Sequence, residues 1–597
     1  MAKQFLMGNE AIALGALRAG VNLVSGYPGT PSTETLETAA KYNDGSVYVE
    51  WSVNEKAALE VAAGASYAGA RALVTMKQVG LNVASDPLMS LAYVGVKGGL
   101  VILSADDPGP ISSQTEQDTR HFARFAKIPV FDPSSPEEAY LMIGDAFDYS
   151  EKYHTPVLFR PTTRVNHGCA AVEIDETPKK NIPEGFVKDS SKWVIFPRLS
   201  YNNHIAIEQR NNKILPDDFS EYRYNFFSGS GKKAVVSGGI SYEYVKEALV
   251  GHDDVKLMKV STPFPFPEKL TLEFLDGVSE VIVIEELDPV IERELVYICG
   301  KHHLNIYIKG KLTADVKNAG ENTVESVKDS LGKFLGIEYE KTQAPQLPPL
   351  PVRPPVLCAG CPHRASFYAV KQAMKGKKAV FSGDIGCYTL GNAKPLDMVD
   401  TCLCMGADVT IAQGLHRIEP DTVNFSFIGD STFFASGITG VVNAVYNQSE
   451  IILIVLDNST TAMTGHQPHP ATGKTMMDQV VDKISIEAIL KAIGLTSVRT
   501  VNPLDLSAAV SAVKDAEEEK GVKAIIFKSP CIAVSKPSKP LEVDTNKCIK
   551  CKKCIRELGC PALVIENDTI KIEPSLCYGC DLCSQVCPCD AISRKQD

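Results

Sequence analysis

The last fifty residues of this chain carry two runs of cysteine whose spacing suits iron. Cys548, Cys551 and Cys554 are followed by Cys560-Pro561, and Cys577, Cys580 and Cys583 by Cys587-Pro588. Three thiolates at a two-residue spacing wrap one cubic iron–sulfur cluster, and a distant cysteine beside proline closes the cube of the other run. On this pattern Cys548, Cys551, Cys554 and Cys587 hold one 4Fe–4S cluster, and Cys577, Cys580, Cys583 and Cys560 hold a second. The first run has five residues, not the usual three, before its last cysteine, so that loop is expected to be longer. Zinc sites need thiolates in two pairs, and neither zinc nor disulfides account for the prolines or the doubled triplets. This end of the chain is expected to move single electrons.

A second constellation combines a carboxylate with an amide. The apolar run 424–428 ends in Gly429-Asp430-Ser431, and the apolar run 451–456 ends in Asp457-Asn458-Ser459-Thr460. Each lies just past the carboxyl end of an expected strand, where open α/β sheets bind ligands. A carboxylate, an amide oxygen and a backbone carbonyl form a hard oxygen set for Mg²⁺, which keeps phosphate oxygens as further ligands. Glycine lets a diphosphate approach the backbone, and the following helix points N–H groups at it. The pattern resembles the thiamine diphosphate signature, Gly-Asp-Gly followed by Asn-Asn, with Ser431 and Asp457 as departures. The likeness implies Gly429, Asp430, Ser431, Asn458 and Thr460 at the cofactor, with Asp430, Asn458 and the Thr460 carbonyl on the metal. The plainer alternative is a capped helix after a buried strand.

Thiamine enzymes of this kind also use a glutamate beside the aminopyrimidine ring, and Glu55 fits that role. A carboxyl group in an apolar pocket has a raised pKa and can share its proton with a ring nitrogen. Locally, Asn54 as a helix cap with Glu55 complementing the helix dipole explains the same residues.

Further cysteines stand at Cys358-Ala359-Gly360-Cys361-Pro362-His363, at Gly386-Cys387-Tyr388 and at Ser529-Pro530-Cys531. Cys358 and Cys361 alone would serve as half a zinc site, and Cys531 as an apolar filler. With Tyr27-Pro28-Gly29-Thr30-Pro31, Asn54-Glu55, Gly383-Asp384-Ile385-Gly386-Cys387 and Gly429 to Phe434, they make nearly the whole chain resemble the 2-oxoacid:ferredoxin oxidoreductases, most closely the α subunits of the indolepyruvate branch. The resemblance implies a third, proximal 4Fe–4S cluster on Cys358, Cys361, Cys387 and Cys531, with His363 among the cofactor contacts. It implies Glu55 and Thr30 as catalytic residues, Thr30 touching substrate.

Relatives also carry an arginine for the substrate carboxylate after the strand matching 99–104. Asp106-Asp107-Pro108 stands there instead, leaving Arg120 as a substitute. His466 and His469 follow the metal loop and are open to a role at phosphate or in structure. Cys402, Cys404 and Cys589 are expected to be buried or near-cluster structural thiols.

The implied reaction is oxidative decarboxylation of aryl pyruvates, indolepyruvate among them, with coenzyme A as acyl acceptor and ferredoxin as electron acceptor. Its implied cofactors are thiamine diphosphate, Mg²⁺ and the clusters. The implied assembly is an α2β2 heterotetramer with a smaller β subunit, with thiamine between domains of different chains. The competing expectation is a non-oxidative thiamine decarboxylase or carboligase with an accessory cluster domain.

These residues need a scaffold. Residues 1–175 alternate helix at 9–19 and 56–67 with strands at 21–25, 72–76, 99–104 and 156–160, the pattern of a parallel sheet between helices. Residues 176–230 read as a polar, irregular connecting segment. A second α/β block at 231–341 places strands at 233–237, 255–260 and 280–284 and a helix at 242–249. A proline-rich linker follows at 342–355, favouring extended geometry. A third block at 356–535 has strands at 379–381, 424–428, 451–456 and 524–528, and a short Ser/Lys/Pro linker leads to the cysteine module at 541–597. The expected fold is thus α/β: three doubly wound parallel-sheet domains, which the resemblance names pyrimidine, transketolase-C-like and diphosphate domains, then an α+β two-cluster ferredoxin domain.

With 597 residues the chain is long enough for several cores, and its net charge of −11 argues against nucleic acid or an anionic membrane as partner. Neither a long apolar run nor a secretory signal is visible, so the seventeen cysteines are expected to be reduced thiols in an anaerobic cytoplasm.

Overall fold

A computed structural model describes residues 2–175, 179–340, 348–495 and 497–594. The chain forms two compact units, Met1–Pro345 and Gln346–Asp597. The part of the proline-rich linker before residue 348 lies outside the described residues. Among the described residues no helix is long and apolar enough to cross a membrane.

The first unit holds three sheets among the described residues, one of them the antiparallel pair Ala2–Met7 with Cys169–Ile174. Six parallel strands run in the order Tyr48–Trp51, Leu23–Gly26, Ala72–Lys77, Leu100–Ala105, Val157–Phe159, Val130–Phe131. The central strands Ala72–Lys77 and Leu100–Ala105 are buried on both faces, hence their unbroken apolar runs. The second sheet has five strands, Tyr307–Lys309, Glu280–Ile284, Lys233–Ser237, Lys256–Lys259 and Phe226–Ser228, parallel but for the last.

That antiparallel edge strand belongs to the segment expected to be irregular. The structure instead gives it helices at Pro197–Gln209 and Leu215–Ser220, joined by the wide turn Arg210–Ile214. Its anchor is aromatic: Phe219 and Tyr222 are buried and meet Phe131 edge-on at 5.7 and 5.5 Å. Three residues apart, they act as one apolar stripe in an otherwise polar stretch, too sparse for composition to reveal.

In the second unit five parallel strands run Ala379–Ser382, Val423–Gly429, Ile451–Asp457, Val522–Lys528, Ser497–Val501. Strand alternation divides the core in two. Ile452, Ile454 and Leu456 face a cluster with helices Pro362–Ala373 and Leu506–Glu518. Ile451, Leu453 and Val455 face one with helices Ala407–Ile418, Ile438–Tyr446 and Ile486–Ile493. The first cluster also takes in Leu558, Leu582 and Val586 of the C-terminal module, so that module shares the hydrophobic core of the sheet domain. The module itself is α+β: antiparallel pairs Leu541–Val543 with Ile592–Arg594 and Leu563–Glu566 with Thr569–Ile572, and helices Lys553–Leu558 and Leu582–Val586.

Candidate active site and cysteine clusters

In the first unit the candidate residues gather at the carboxyl ends of the six-stranded sheet. Glu55 opens helix Glu55–Tyr67, and the Asn54 side chain caps it by accepting from the Ala57 N–H at 2.8 Å. Capping by Asn54 leaves the Glu55 carboxyl without that duty. It is buried against Gly80, where a Cβ would come within 2.5 Å of its Oε1. Burial pushes its pKa up to about 7, against the pull of the Lys77 charge.

Lys77, the last residue of its strand, was not singled out from the sequence. Its side chain lies along Gly29, its Nζ donates to the Ser112 carbonyl at 3.2 Å, and its charge acts on both Asp107 and Glu55. Ser112 Oγ in turn donates to the Thr30 carbonyl at 3.0 Å. Thr30, Lys77 and Glu55 are thus joined through one loop and one strand end. A lysine closing an apolar run at a strand's carboxyl end was the available signal.

The Asp106–Arg120 region does otherwise than expected. Arg120 is buried and fully engaged, with Asp118 at 2.6 Å and Glu285 at 2.8 Å, so it is not available as a substrate clamp. Arg160 pairs with Asp106 at 2.6 Å and with Asp132 at 3.2 Å. Asp107 accepts from Thr163 Oγ1 at 2.7 Å and from the Ser112 N–H at 2.8 Å. Of these contacts the Arg120–Glu285 pair ties the first sheet domain to the second, and the others brace the first from within.

In the second unit strands Val423–Gly429 and Ile451–Asp457 are hydrogen-bonded neighbours, which brings their two loops together. Asp430 is buried; its Oδ1 accepts from the Ser431 N–H at 2.9 Å and its Oδ2 from the Ser459 N–H at 2.8 Å. His469 Nε2 stands 3.1 Å from Oδ2, whereas His466 is exposed. Asn458 Oδ1 accepts from the Thr460 N–H at 3.2 Å, and its Nδ2 donates to His363 Nε2 at 3.3 Å. Burial pulls the His363 pKa down to about 4, so the ring is neutral and accepts at that nitrogen. His363 therefore fixes which way the Asn458 amide faces. Thr460 is buried and its Oγ1 has no protein partner among the described residues.

Asp430 and Asn458 each keep oxygen lone pairs beyond these bonds, so the donor set fits a hard divalent cation. Gly429 has a further reason to be glycine: a Cβ there would come within 2.5 Å of the Tyr388 ring. The Tyr388 hydroxyl donates to Asp384 Oδ2 at 2.7 Å and meets Thr432 Oγ1 at 3.1 Å, tying the loop after Ala379–Ser382 to the turn that follows Gly429.

The cysteines gather in three sets. A small cavity is lined by Cys548, Cys551, Cys554 and Cys587, with Cys589 beside them, its sulfur 3.7 Å from that of Cys587. Cys580 is pushed up first by burial and then by Cys560 and Cys577, and Cys583 by burial and by Cys580, Cys560 and Cys577. Burial takes Cys361 up to about 12, with Cys387 and Cys358 adding to it and Arg364 opposing; Cys387 rises to about 11 by burial, Cys531 and Cys358.

Such crowded, buried thiols ionise only beside strong positive charge, which metal supplies. Among the described residues no group of three His, Cys, Asp or Glu side chains is gathered closely enough to hold a single metal ion. Cys402 and Cys404, expected to be buried or near-cluster structural thiols, are not buried but exposed in the loop ahead of helix Ala407–Ile418.

The third set is joined to both neighbours. The Cys531 N–H donates to the Asn458 carbonyl at 2.9 Å. Tyr578, next to Cys577, lies on Gly360 between Cys358 and Cys361, where a Cβ would come within 2.4 Å of the Tyr578 Cβ. Gly360 has φ +82°, and the Tyr578 hydroxyl reaches Ser535 Oγ at 2.7 Å.

Residues 384–527 match the family described as thiamine pyrophosphate enzyme, C-terminal TPP binding domain. Residues 14–228 match pyruvate flavodoxin/ferredoxin oxidoreductase, thiamine diP-bdg. Indolepyruvate oxidoreductase subunit IorA of Methanothermobacter thermautotrophicus is 41% identical over 606 aligned positions, covering 99% of this chain and 97% of that one. The same-named subunit of Thermococcus kodakarensis is 41% identical over 638 positions at equal coverage. Ketoisovalerate oxidoreductase subunit VorB of Methanothermobacter marburgensis is 26% identical over 57% of this chain and 99% of its own.

Proposed function

The chain belongs to the family of indolepyruvate oxidoreductase IorA subunits, and from that premise we propose that it decarboxylates aryl pyruvates oxidatively, passing the acyl group to coenzyme A and electrons to ferredoxin. One 2-oxoacid and one coenzyme A give one acyl-coenzyme A, one CO2 and a proton. The two electrons released reduce two one-electron ferredoxin equivalents. Thiamine diphosphate supplies the nucleophilic carbon and the electron sink when bound.

The chain's own residues position everything around that group. Asp430, Asn458 and the Thr460 carbonyl would hold Mg²⁺, with Gly429 and Ser431 presenting backbone to the diphosphate. His363 keeps the Asn458 amide turned for this task. Glu55 holds a proton for a ring nitrogen, since a carboxyl group with a pKa of about 7 exchanges it near neutrality. Lys77, with Thr30 beside it, takes the substrate carboxylate in place of the engaged Arg120 and Arg160. The three cysteine sets would each hold a 4Fe–4S cluster. A smaller β subunit in an α2β2 assembly, in an anaerobic cytoplasm, completes the proposal.

The observation that carries this reading is the hydrogen bond from Cys531 to Asn458, because a simple decarboxylase has no use for a cysteine set beside its metal loop. The test is anaerobic protein reconstituted with thiamine diphosphate and Mg²⁺, given indolepyruvate. Viologen or ferredoxin reduction that needs both the oxoacid and coenzyme A is expected. Release of CO2 and aldehyde without bleaching of the clusters would establish the non-oxidative reaction instead.

A further inference from the structure

One buried cation is not used by any of this chemistry. Arg364 lies in the first turn of helix Pro362–Ala373, three residues beyond Cys361, and is 4% exposed. Its Nη2 donates to the carbonyls of Leu357 at 2.6 Å and Cys358 at 3.2 Å. Its Nη1 donates to the carbonyl of Leu558 at 3.0 Å. Leu558 ends the helix that carries Cys554 and stands two residues before Cys560. Carbonyls at a helix end lack partners and favour positive charge. A single guanidinium therefore caps a helix of the C-terminal module and braces the loop of the proximal cysteines.

Two of its five N–H groups are left over by these bonds, one on Nη1 and the one on Nε. Nε is buried and has no protein partner among the described residues. A buried donor without an acceptor is unfavourable, the more so when it is charged. The Arg364 charge also acts on Cys361, the residue whose thiolate the proximal cluster would need. Hydrogen bonds to cluster sulfurs and nearby charge are what set cluster potentials.

We infer that Arg364 is a positioning residue for electron transfer, holding the proximal set and the module in register while its Nε–H donates to sulfur of the cluster on Cys358, Cys361, Cys387 and Cys531. Donation favours the reduced, more negative cluster. It raises the tendency of this site to take an electron; when the electron moves on, this cluster is oxidised as the next is reduced, with no proton transferred. The inference rests on the three-cluster reading above.

The test starts from anaerobically purified full-length protein with its iron counted, the arginines being labelled with ¹⁵N. Pulsed EPR of the reduced protein should show a ¹⁵N coupling that disappears in Arg364→Lys. In Arg364→Gln the one-electron equilibrium of the cluster that Cys387→Ser removes should shift at least tenfold toward oxidised, about 59 mV. The other two clusters should move less, and Arg364→Lys should retain most of the potential. About twelve irons with no arginine-dependent coupling in the unmutated protein overturns the Arg364 inference alone, whether or not the variants keep their clusters. Equal shifts in the Lys and Gln variants overturn it too, by reducing the effect to packing. About eight irons overturns both the inference and the third cluster beneath it.

Discussion

The backbone N–H of Cys531 donates to the carbonyl of Asn458 across 2.9 Å, so the loop of the fourth proximal cysteine and the candidate metal loop are bonded to each other directly. Because the bond is made by backbone, replacing the thiol leaves it intact. Cys531→Ser and Cys387→Ser should therefore bring iron down from about twelve to about eight per chain while thiamine diphosphate binding persists. Iron and sulfide analysis with a cofactor titration reads both. An iron content of about eight in the unmutated protein would remove the proximal cluster.

Glu55→Gln should lower kcat by about 10²–10⁴-fold, the usual weight of a positioned acid–base group. Stability offers an independent reading. A carboxyl group at about 7 when folded and 4.5 when unfolded binds more protons in the native state between those values, so the protein loses stability as pH rises through that window. At 1.36 kcal/mol per pH unit the loss is about 3 kcal/mol. Thermal unfolding of cofactor-free Glu55→Gln should show that slope flattened. An unchanged slope and unchanged turnover together would release Glu55 from both roles.

Lys77→Gln should raise KM for the aryl pyruvate with a smaller effect on kcat. A charge-assisted hydrogen bond of roughly 1.5–3 kcal/mol corresponds to about a ten- to hundredfold change. An analogue lacking the carboxylate should not distinguish the variant from the parent. If KM holds, the carboxylate is bound elsewhere.

Chelation of divalent cations should release thiamine diphosphate, and Mg²⁺ should restore it. In Asp430→Asn the restoration should need at least tenfold more metal, because a neutral amide replaces the charged ligand while keeping an oxygen. Equal metal requirement in the two proteins would take Asp430 out of the coordination sphere.

Gly429→Ala should destabilise the second unit by about 1–3 kcal/mol, since its Cβ would enter the Tyr388 ring. Tyr388→Ala in the same chain should recover part of the loss, and a double-mutant cycle measures the coupling. Strict additivity would deny the contact.

Much of this was legible before any coordinates. Strands 233–237 and 280–284 fall where their apolar runs predict, and strands 451–456 and 424–428 differ by a residue at their ends. Runs buried on both faces leave little ambiguity of register. The candidate residues of the metal loop and the cysteine sets stand out because ligand chemistry demands particular residue types at particular spacings.

What escaped was tertiary. Lys77 and Arg364 look like ordinary surface cations until folding gives them neighbours. Arg120 looked free because its partner Glu285 is 165 residues away. Helix Leu215–Ser220 hid because two aromatics hold it within polar sequence. Residue type alone points Cys402 and Cys404 inward, and only the path of their loop puts them at the surface.

The seat of Tyr578 on Gly360 limits how such a protein can be rearranged. Lengthening the short Ser/Lys/Pro connection would not free the cysteine-rich end, since a ring wedged against glycine and a buried arginine tie it down as well. Grafting a free-standing ferredoxin in its place would leave a tyrosine-shaped hole over Gly360 and Arg364 without its third carbonyl. Inheritance of these two parts is therefore expected to be joint, with drift at either surface answered at the other.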